Sequence, residues 1–217
     1  MKAILWDNDG VLVDTEPSYF EASREAMRGL GVEFGEAEYV ARSLRDGASC
    51  FDLAAERGVS QERISAARAA RNSHYTALIA GTELIAGVRE TLETLHGQVS
   101  MAVVTSSQPD HFALQHSSTG ALRFFDFVLT GADFTRFKPD PEPYLMAAAR
   151  LRIELAECLV IEDSERGLVS ATRAGMRCAV VPRGLAARGD FKAAWRVLQD
   201  VAEVPALLAA FRSGIVK

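Results

Sequence analysis

Two pairs of acidic residues stand out in the sequence, Asp7 with Asp9 and Glu162 with Asp163. Asp7 and Asp9 are separated by one residue, so in an extended chain both side chains point to the same side. Neighbouring carboxylates repel each other, and a divalent cation between them relieves the repulsion. A site built from oxygen ligands suits Mg²⁺ rather than zinc. The two pairs therefore predict a magnesium site.

Each pair follows a short apolar run of the kind that forms a buried parallel strand. Such runs occupy 3–6, 100–104, 125–129, 158–161 and 178–181. Segments with helical periodicity lie at 87–95, 143–151 and 164–174, and a further helix is predicted over 191–211. Strands that alternate with helices indicate βαβ units. The sequence thus predicts an α/β fold with a Rossmann-like parallel sheet flanked by helices.

In such a sheet, ligands bind at the carboxyl ends of the strands. The residues that follow the apolar runs at this edge are Asp7, Asp9, Thr105, Ser106, Lys138, Glu162 and Asp163. Alone, an Asp-x-Asp-Gly segment is more often a solvated turn than a site. A second acidic pair at another strand end, together with a lysine in a proline-bounded loop, favours a functional site.

The segment between the first two strands has a different character. From 15 to 85 there is no β-branched apolar run, and Ala, Glu and Arg dominate with glycine between the helical stretches. Helices are predicted at 18–30, 36–45, 49–57 and 60–79. We expect 15–85 to form an all-helical cap inserted into a catalytic core made of 1–14 and 86–217.

Composition excludes several classes of protein. The 24 basic and 29 acidic residues give a formal charge of −5, which provides no broad basic surface for nucleic acid. No apolar run approaches the roughly 18 residues of a membrane span, and the N-terminus does not resemble a secretory signal. Cys50, Cys158 and Cys178 fit reduced core thiols. We expect a cytoplasmic protein without nucleic-acid or membrane partners, and a monomer, with a dimer as the alternative.

Four segments carry a recognisable set of motifs. They are Asp-Asn-Asp-Gly-Val-Leu-Val-Asp-Thr-Glu at 7–16, Val-Val-Thr-Ser-Ser at 103–107, Lys-Pro-Asp-Pro-Glu-Pro-Tyr at 138–144 and Ile-Glu-Asp-Ser-Glu-Arg-Gly at 161–167. Together and in this order they resemble the haloacid dehalogenase superfamily, specifically its phosphatases with a helical cap after the first strand. The resemblance spans nearly the whole chain, so it is more specific than any single motif.

The resemblance implies a role for each core residue. It implies that Asp7 attacks phosphorus to form an aspartyl-phosphate, while Asp9 protonates the leaving oxygen and later deprotonates water. It implies that Thr105 donates its hydroxyl and backbone N–H to the phosphoryl group and that Lys138 supplies positive charge. These roles agree with the physics of phosphoryl transfer, which needs mainly positioning and charge neutralisation.

Metal and substrate contacts are also implied by the resemblance. Mg²⁺ is expected to bind Asp7, Asp163 and the backbone carbonyl of Asp9, with Glu162 in a direct or supporting role. Substrate contacts are expected from Ser106, Glu16, Tyr19 and Arg45, the last in a loop of the cap. His74, His96, His111 and His116 lack the spacing of a metal site, and we expect them at the surface or in the core.

The predicted function is a Mg²⁺-dependent phosphatase of small phosphorylated metabolites, of the sugar phosphate or phosphoglycolate type. The related dehalogenases are excluded because the resemblance implies that they lack the second aspartate, here Asp9. A beta-phosphoglucomutase-like isomerase is an alternative, but Tyr19 stands where such mutases have histidine, and no lysine occurs between Arg45 and Ile85. A catalytically silent binding protein is a second alternative, although every catalytic position is filled. Asn8 replaces the usual apolar residue and has no assigned role.

Overall fold

A computed structural model of the chain describes residues 1–213 and 215. In this part of the chain, one sheet contains the parallel strands β1 Ala3–Trp6, β2 Ser100–Val104, β3 Phe127–Leu129, β4 Cys158–Glu162, β5 Arg177–Val180 and β6 Arg196–Val197. The strand order is β3-β2-β1-β4-β5-β6, which places β1 between β2 and β4. The predicted parallel α/β sheet is confirmed, and its three site-bearing strands are neighbours.

The segment between β1 and β2 is helical, as predicted. Its helices are α1 Glu16–Gly29, α2 Glu36–Glu38, α3 Cys50–Glu56 and α4 Gln61–Leu78, and α2 continues as a π-helical segment, Tyr39–Arg45. The hydroxyls of Ser49 and Ser60 cap α3 and α4 by accepting backbone N–H bonds. These helices pack around their own apolar cluster, which includes Met27, Phe51 and Ile64. We call residues 15–85 the helical insertion.

The remaining helices cover both faces of the sheet. They are α5 Val88–Leu95, α6 Pro109–Gln115, α7 Glu142–Leu151, α8 Glu165–Arg173 and α9 Val204–Arg212. Side chains alternate along β1, so Ile4 and Trp6 pack on the face with α5, α6 and α9, whereas Ala3 and Leu5 pack on the face with α7 and α8. All four residues of β1 are fully buried. The site at the end of β1 therefore rests on a fully buried strand.

The predicted helix over 191–211 is wrong in its first half. That half contains the short edge strand β6 and a 3₁₀ turn, Val201–Glu203, and α9 begins only at Val204. The backbone N–H groups of Trp195 and Leu198 donate to carbonyls of β5 at 2.8 Å each, and such pairing is incompatible with a helix. A two-residue edge strand leaves too little periodicity to be distinguished from a helix by pattern alone.

Two expectations from composition can be compared with the structure. Cys50, Cys158 and Cys178 are buried and form no disulfide, as expected of core thiols. Within the described residues, none of the helices combines the length and the apolar character needed to cross a membrane.

Candidate active site

A cavity of about 560 Å³ lies where the carboxyl ends of the central strands face the helical insertion. The core contributes Asp7, Asp9, Thr105, Ser106, Ser107 and Lys138 to its wall, and the insertion contributes Glu16, Tyr19, Tyr39, Arg68, Arg71 and Tyr75. A larger depression of about 760 Å³ lies between α1 and α4, but none of the predicted site residues lines it. The predicted site residues that line a cavity therefore lie in the smaller one.

Lys138 is buried beneath this cavity with all of its hydrogen-bond donors in use. Its ammonium donates to Asp7 Oδ1 at 2.8 Å, to Glu162 Oε1 at 2.7 Å and to the carbonyl oxygen of Val104 at 2.9 Å. Burial alone would lower the pKa of Lys138, but the charges of Asp7 and Glu162 outweigh it and raise that pKa. Lys138 therefore stays charged and restrains the Asp7 carboxylate.

Glu162 is held on both of its carboxylate oxygens. Oε1 accepts from Lys138 and from the Tyr144 hydroxyl at 2.7 Å, and Oε2 accepts from the Ser164 hydroxyl at 3.0 Å. Burial by itself would raise the pKa of Glu162, but Lys138 and these hydrogen bonds lower it. A Cβ at Gly167 would overlap this carboxylate, so the first turn of α8 must have glycine there. Glu162 thus remains ionised as part of the frame.

Three carboxylates crowd together at the ends of β1 and β4. Asp7, Glu162 and Asp163 each place an oxygen within 4.8 Å of the others. Burial, reinforced by the Glu162 charge, raises the pKa of Asp7 to about 7, although Lys138 opposes the shift. Burial and the charges of Glu162 and Asp7 raise the pKa of Asp163 well above its ordinary value. Crowded, buried carboxylates of this kind suit a hard divalent cation, which favours their ionised forms, so the donor set fits Mg²⁺.

The carboxylate of Asp9 accepts hydrogen bonds from five side chains, two on one oxygen and three on the other. Oδ1 accepts from the Thr15 hydroxyl and from Gln115 Nε2 at 2.8 Å. Oδ2 accepts from the hydroxyl of Ser107 at 2.6 Å, from Asn8 Nδ2 at 3.2 Å and from the hydroxyl of Thr105 at 3.3 Å. Asp9 is thus oriented from both its core side and its insertion side.

The structure accounts for Asn8, whose amide had no assigned role. Asn8 is fully buried, and its Nδ2 donates to Gln115 Oε1 at 2.7 Å. Its Oδ1 lies 2.7 Å from Nε2 of His116, whose Nδ1 lies 3.0 Å from the Thr119 hydroxyl. Burial lowers the pKa of His116 to about 4, so at neutral pH the ring carries a single proton. His116 is therefore a core histidine, one of the two placements expected for it.

Thr105 and Ser106 both reach the cavity, but one predicted contact is wrong. The backbone N–H of Thr105 donates to the carbonyl of Leu129 at 2.9 Å, as part of the β2–β3 pairing, so it is not available to a phosphoryl group. The Ser106 hydroxyl is buried and has no hydrogen-bond partner among the described residues, and the same holds for Nε of Arg166. Both residues line the cavity, and an anionic ligand would satisfy both donors.

The insertion places two of its three predicted substrate residues in the cavity. Glu16 accepts a hydrogen bond from the Tyr39 hydroxyl, and burial raises the pKa of Glu16 although this bond opposes the shift. Tyr19 packs edge-to-face on Tyr75 with ring centroids 5.2 Å apart. Arg45 is half exposed and does not line the cavity.

Arg45 instead pairs with the core. Its Nε donates to Glu165 Oε2 at 3.1 Å, at the start of α8. Two residues later, Gly47 has a φ of +70°, and a Cβ there would lie 2.8 Å from the carbonyl oxygen of Lys138. This loop of the insertion therefore packs directly on the loop that carries Lys138, while a substrate contact by Arg45 stays a prediction.

Sequence reasoning did not single out Arg71, which is buried beside the cavity. Its guanidinium lies 4.6 Å from the ring centroid of Tyr19, and its Nε donates to Asn72 Oδ1 at 2.9 Å. It forms no ion pair within the part of the chain that the structure describes. Arg68, Arg71 and Tyr75 follow helical spacing, so they share one face of α4, and that spacing was the available signal.

Gln115, Tyr144 and His111 were also missed as site residues. Tyr144 stands at the end of a quoted motif, but its bond to Glu162 depends on how α7 packs. Gln115 and His111 lie on α6, which no motif marks. His111 lines the cavity and lies 3.1 Å from the Thr76 hydroxyl.

Comparison with known proteins agrees with this geometry. The family model described as haloacid dehalogenase-like hydrolase matches residues 4–181. Validoxylamine A 7'-phosphate phosphatase of Streptomyces hygroscopicus subsp. limoneus is 32% identical over 94% of this chain and 95% of its own length. A phosphorylated carbohydrates phosphatase of Thermotoga maritima is 32% identical over 81% of this chain and 82% of its own.

A solved structure extends the comparison to three dimensions. CbbY from Rhodobacter sphaeroides, in complex with xylulose-(1,5)bisphosphate, superposes with a TM-score of 0.78 at 25% identity. The match covers 94% of this chain and 96% of that one. The likeness therefore includes both the sheet and the helical insertion.

Gly167→Ala tests whether the space around Glu162 is needed. Because the new Cβ would overlap the Glu162 carboxylate, that side chain must leave Lys138 and Tyr144. We expect a loss of stability of about 3 kcal/mol or more, because a buried charge loses its partners. The urea midpoint of unfolding measures the loss. Gly29→Ala is the control, since nothing lies within 4 Å of its Cβ and it should be neutral. Equal midpoints for the two variants would contradict this account of Glu162.

Proposed function

Because the chain belongs to the haloacid dehalogenase-like hydrolase family, we propose that it is a Mg²⁺-dependent phosphatase of small phosphorylated sugars. The observation that carries this proposal is the pairing of two differently held aspartates in one cavity. Asp7 is restrained by a buried lysine, and Asp9 is oriented beside it by five donors. This difference supports Asp7 as the nucleophile and Asp9 as the group that exchanges protons.

The proposed reaction has two steps. In the first, a carboxylate oxygen of Asp7 forms a bond to phosphorus as the bond to the sugar oxygen breaks, and Asp9 gives its proton to that leaving oxygen. In the second, Asp9 takes a proton from water, and the water oxygen attacks phosphorus and releases phosphate from Asp7. A covalent intermediate divides one difficult displacement into two easier ones. Asp9 is protonated again at the end, so the cycle is balanced.

Mg²⁺ would be held by the carboxylates of Asp7 and Asp163 together with the backbone carbonyl of Asp9. When bound, the metal supplies positive charge that neutralises the oxygens of the transferring group. Glu162 has both carboxylate oxygens engaged by protein donors, so we assign it a supporting role rather than direct ligation. Its part is to hold Lys138 and the start of α8.

The phosphoryl group would be received by donors that are free to turn toward it. The Ser106 hydroxyl and Arg166 Nε have no partner among the described residues, and the Thr105 hydroxyl lies close by. Lys138 has no spare N–H, so it contributes through its charge rather than through a hydrogen bond. The phosphoryl group would thus accept hydrogen bonds from Ser106 and Arg166 at the cavity wall and be attracted by the charge of Lys138 beneath it.

The cavity composition supports a sugar phosphate as substrate. The relatives named above are described as phosphatases of phosphorylated carbohydrates and of validoxylamine A 7'-phosphate. Glu16, Tyr19 and Asn72 offer groups suited to hydroxyls. Arg71, which is buried and has no carboxylate partner among the described residues, offers charge to a second anionic group on the same substrate. The monomeric state, the cytoplasmic location and the lack of a nucleic-acid partner remain predictions.

Hydrolysis is favoured over phosphoryl return to a sugar. Tyr19, at the position where the resemblance gives a mutase histidine, packs on Tyr75 in the cavity wall, and Lys138 is the only lysine among the residues lining it. Phosphate release, not isomerisation, is therefore the proposed outcome.

Asp7→Asn should abolish turnover. Purified protein with Mg²⁺ is expected to release phosphate from members of a sugar phosphate panel, and the variant should fall by on the order of a thousandfold or more because it lacks the nucleophile. Acid quenching should trap a phosphoryl group on the peptide that contains Asp7. Asp14→Asn, an exposed neighbour, is the matched control and should keep full activity.

Two results would contradict this function. One is equal phosphate release by Asp7→Asn and the unaltered protein. The other is conversion of β-glucose 1-phosphate to glucose 6-phosphate with a bisphosphate activator, which would establish the mutase instead.

Mg²⁺ affinity should rise with pH. Metal binding requires ionised carboxylates, and the pKa of Asp7 is raised to about 7 in the metal-free protein, so binding below pH 7 must release a proton. We expect binding at pH 6 to be weaker than at pH 8 by at least about tenfold. Calorimetry in buffers of different ionisation enthalpy gives both the affinity and the protons released. Asp7→Asn should bind more weakly with a shallower pH dependence, and a pH-independent affinity of the unaltered protein would contradict the assignment.

Arg71→Met should weaken the binding of sugar bisphosphates more than that of sugar monophosphates. Removing this charge is expected to raise KM for sugar bisphosphates by about tenfold, with little change for monophosphates, because only the former reach it with a second anion. Steady-state kinetics on matched pairs of mono- and bisphosphates measures the effect. Arg24→Met is the control, since Arg24 also lies over an aromatic ring but outside the cavity. An equal rise in KM for both substrate classes would remove Arg71 from this role.

A further inference from the structure

We infer that Asn8 and Gln115 are positioning residues for Asp9, which hold its carboxyl group toward the leaving oxygen. This inference rests on the proposed function, because it assigns these amides to the acid–base group of that reaction. The supporting observation is the hydrogen-bond network that surrounds Asp9 on its core side.

The two amides bracket the Asp9 carboxylate and bond to each other. Gln115 Nε2 donates to Asp9 Oδ1 at 2.8 Å, and Asn8 Nδ2 lies 3.2 Å from Oδ2. Asn8 Nδ2 also donates to Gln115 Oε1 at 2.7 Å. Both amide side chains are fully buried, so no water competes for these bonds. Each oxygen of the carboxylate therefore has one amide donor.

The direction of every bond in this network is determined. Because Asn8 uses its nitrogen toward Asp9 and Gln115, its oxygen must accept, and the partner is the Nε2–H of His116 at 2.7 Å. The unprotonated Nδ1 of His116 then accepts from the Thr119 hydroxyl at 3.0 Å. Reversing either amide would break several bonds at once, so the orientation of the network is fixed from Thr119 to Asp9.

The remaining three donors to Asp9 are of a different kind. Thr15, Thr105 and Ser107 bond to it through hydroxyls, which either donate or accept. An amide N–H can only donate. A hydroxyl can turn away from Asp9 or change from donor to acceptor, whereas the two amide bonds keep one direction. The amides therefore hold the direction of the carboxyl group.

Gln115 also connects this network to the helical insertion. Its Nε2 lies 3.1 Å from the hydroxyl of Tyr75 on α4. The hydrogen bonds on the core side of Asp9 therefore continue to Tyr75 of the insertion. The sequence departs here from the apolar residue that the family resemblance gives at position 8, and the buried partners of Asn8 make the departure intelligible.

The effect of the amides should depend on how much the leaving oxygen needs a proton. p-Nitrophenyl phosphate loses a stable leaving group that needs little protonation, whereas phenyl phosphate, of nearly the same shape, needs more. In a two-step reaction kcat/KM reports only the first step, in which Asp9 acts as acid. A misdirected Asp9 therefore penalises phenyl phosphate selectively.

The experiment compares kcat/KM for these two substrates in Asn8→Leu and Gln115→Met. We expect a loss of about tenfold or more on phenyl phosphate and of no more than about threefold on p-nitrophenyl phosphate. Gln98→Met, an exposed glutamine, is the matched control and should change neither value. Equal losses on both substrates would overturn the inference, because general structural damage does not distinguish leaving groups.

A triple variant separates positioning from stability. Asn8→Leu, Gln115→Met and His116→Leu together remove the amide and imidazole groups that the single variants leave unpaired with one another, so the urea midpoint should recover part of the way toward that of the unaltered protein. The selective loss on phenyl phosphate should persist. Recovery of phenyl phosphate turnover in this variant would also overturn the inference. If the unaltered protein hydrolyses neither substrate nor any sugar phosphate, the proposed function fails and this inference fails with it.

Discussion

The buried ammonium of Lys138 is the interaction on which the rest of the site depends. It bonds to Asp7 after β1, to Val104 at the end of β2 and to Glu162 at the end of β4, so it joins three neighbouring strands at one point. Breaking such a pair by removing one partner leaves an uncompensated buried charge and is strongly destabilising. The strand order explains why one lysine reaches all three, because β1 lies between β2 and β4. Stability and the placement of Asp7, the proposed nucleophile, therefore depend on the same buried ammonium.

The three carboxylates Asp7, Glu162 and Asp163 differ in the direction of their pKa shifts. Glu162 accepts hydrogen bonds from Lys138, from the Tyr144 hydroxyl and from Ser164 just before α8. These donors lower its pKa despite burial. Burial and the neighbouring charge of Glu162 raise the pKa values of Asp7 and Asp163. The protein thus uses one acid to build the frame and leaves two under-neutralised, which is the arrangement that attracts a divalent cation. Identical side-chain chemistry acquires different roles from the number of donors around each group.

The parts of the site that follow strands could be predicted from the sequence, and the parts contributed by packing could not. Asp7 and Glu162 are marked by the ends of apolar runs, and parallel topology then brings them together. Gln115 lies on a helix that no motif marks, and its bond to Asp9 depends on how α6 sits against the sheet. The family resemblance assigns the Thr105 N–H to the substrate, whereas in the structure this N–H donates to Leu129 of β3. The sequence alone does not show which residues of two strands are paired. Edge strand β6 was missed for a related reason, since two residues carry no periodicity.

The residues around Asp9 join the core to the helical insertion. Donors from the insertion side, through Thr15, and from the core side, through Gln115, meet on the same oxygen of one carboxylate. Tyr75 of the insertion also contacts Gln115, so the two sides are not independent. The two amides that bracket the Asp9 carboxylate belong to the core, and Thr15 adds a hydroxyl from the insertion. The direction of the proposed acid therefore depends first on the core and is completed by the insertion.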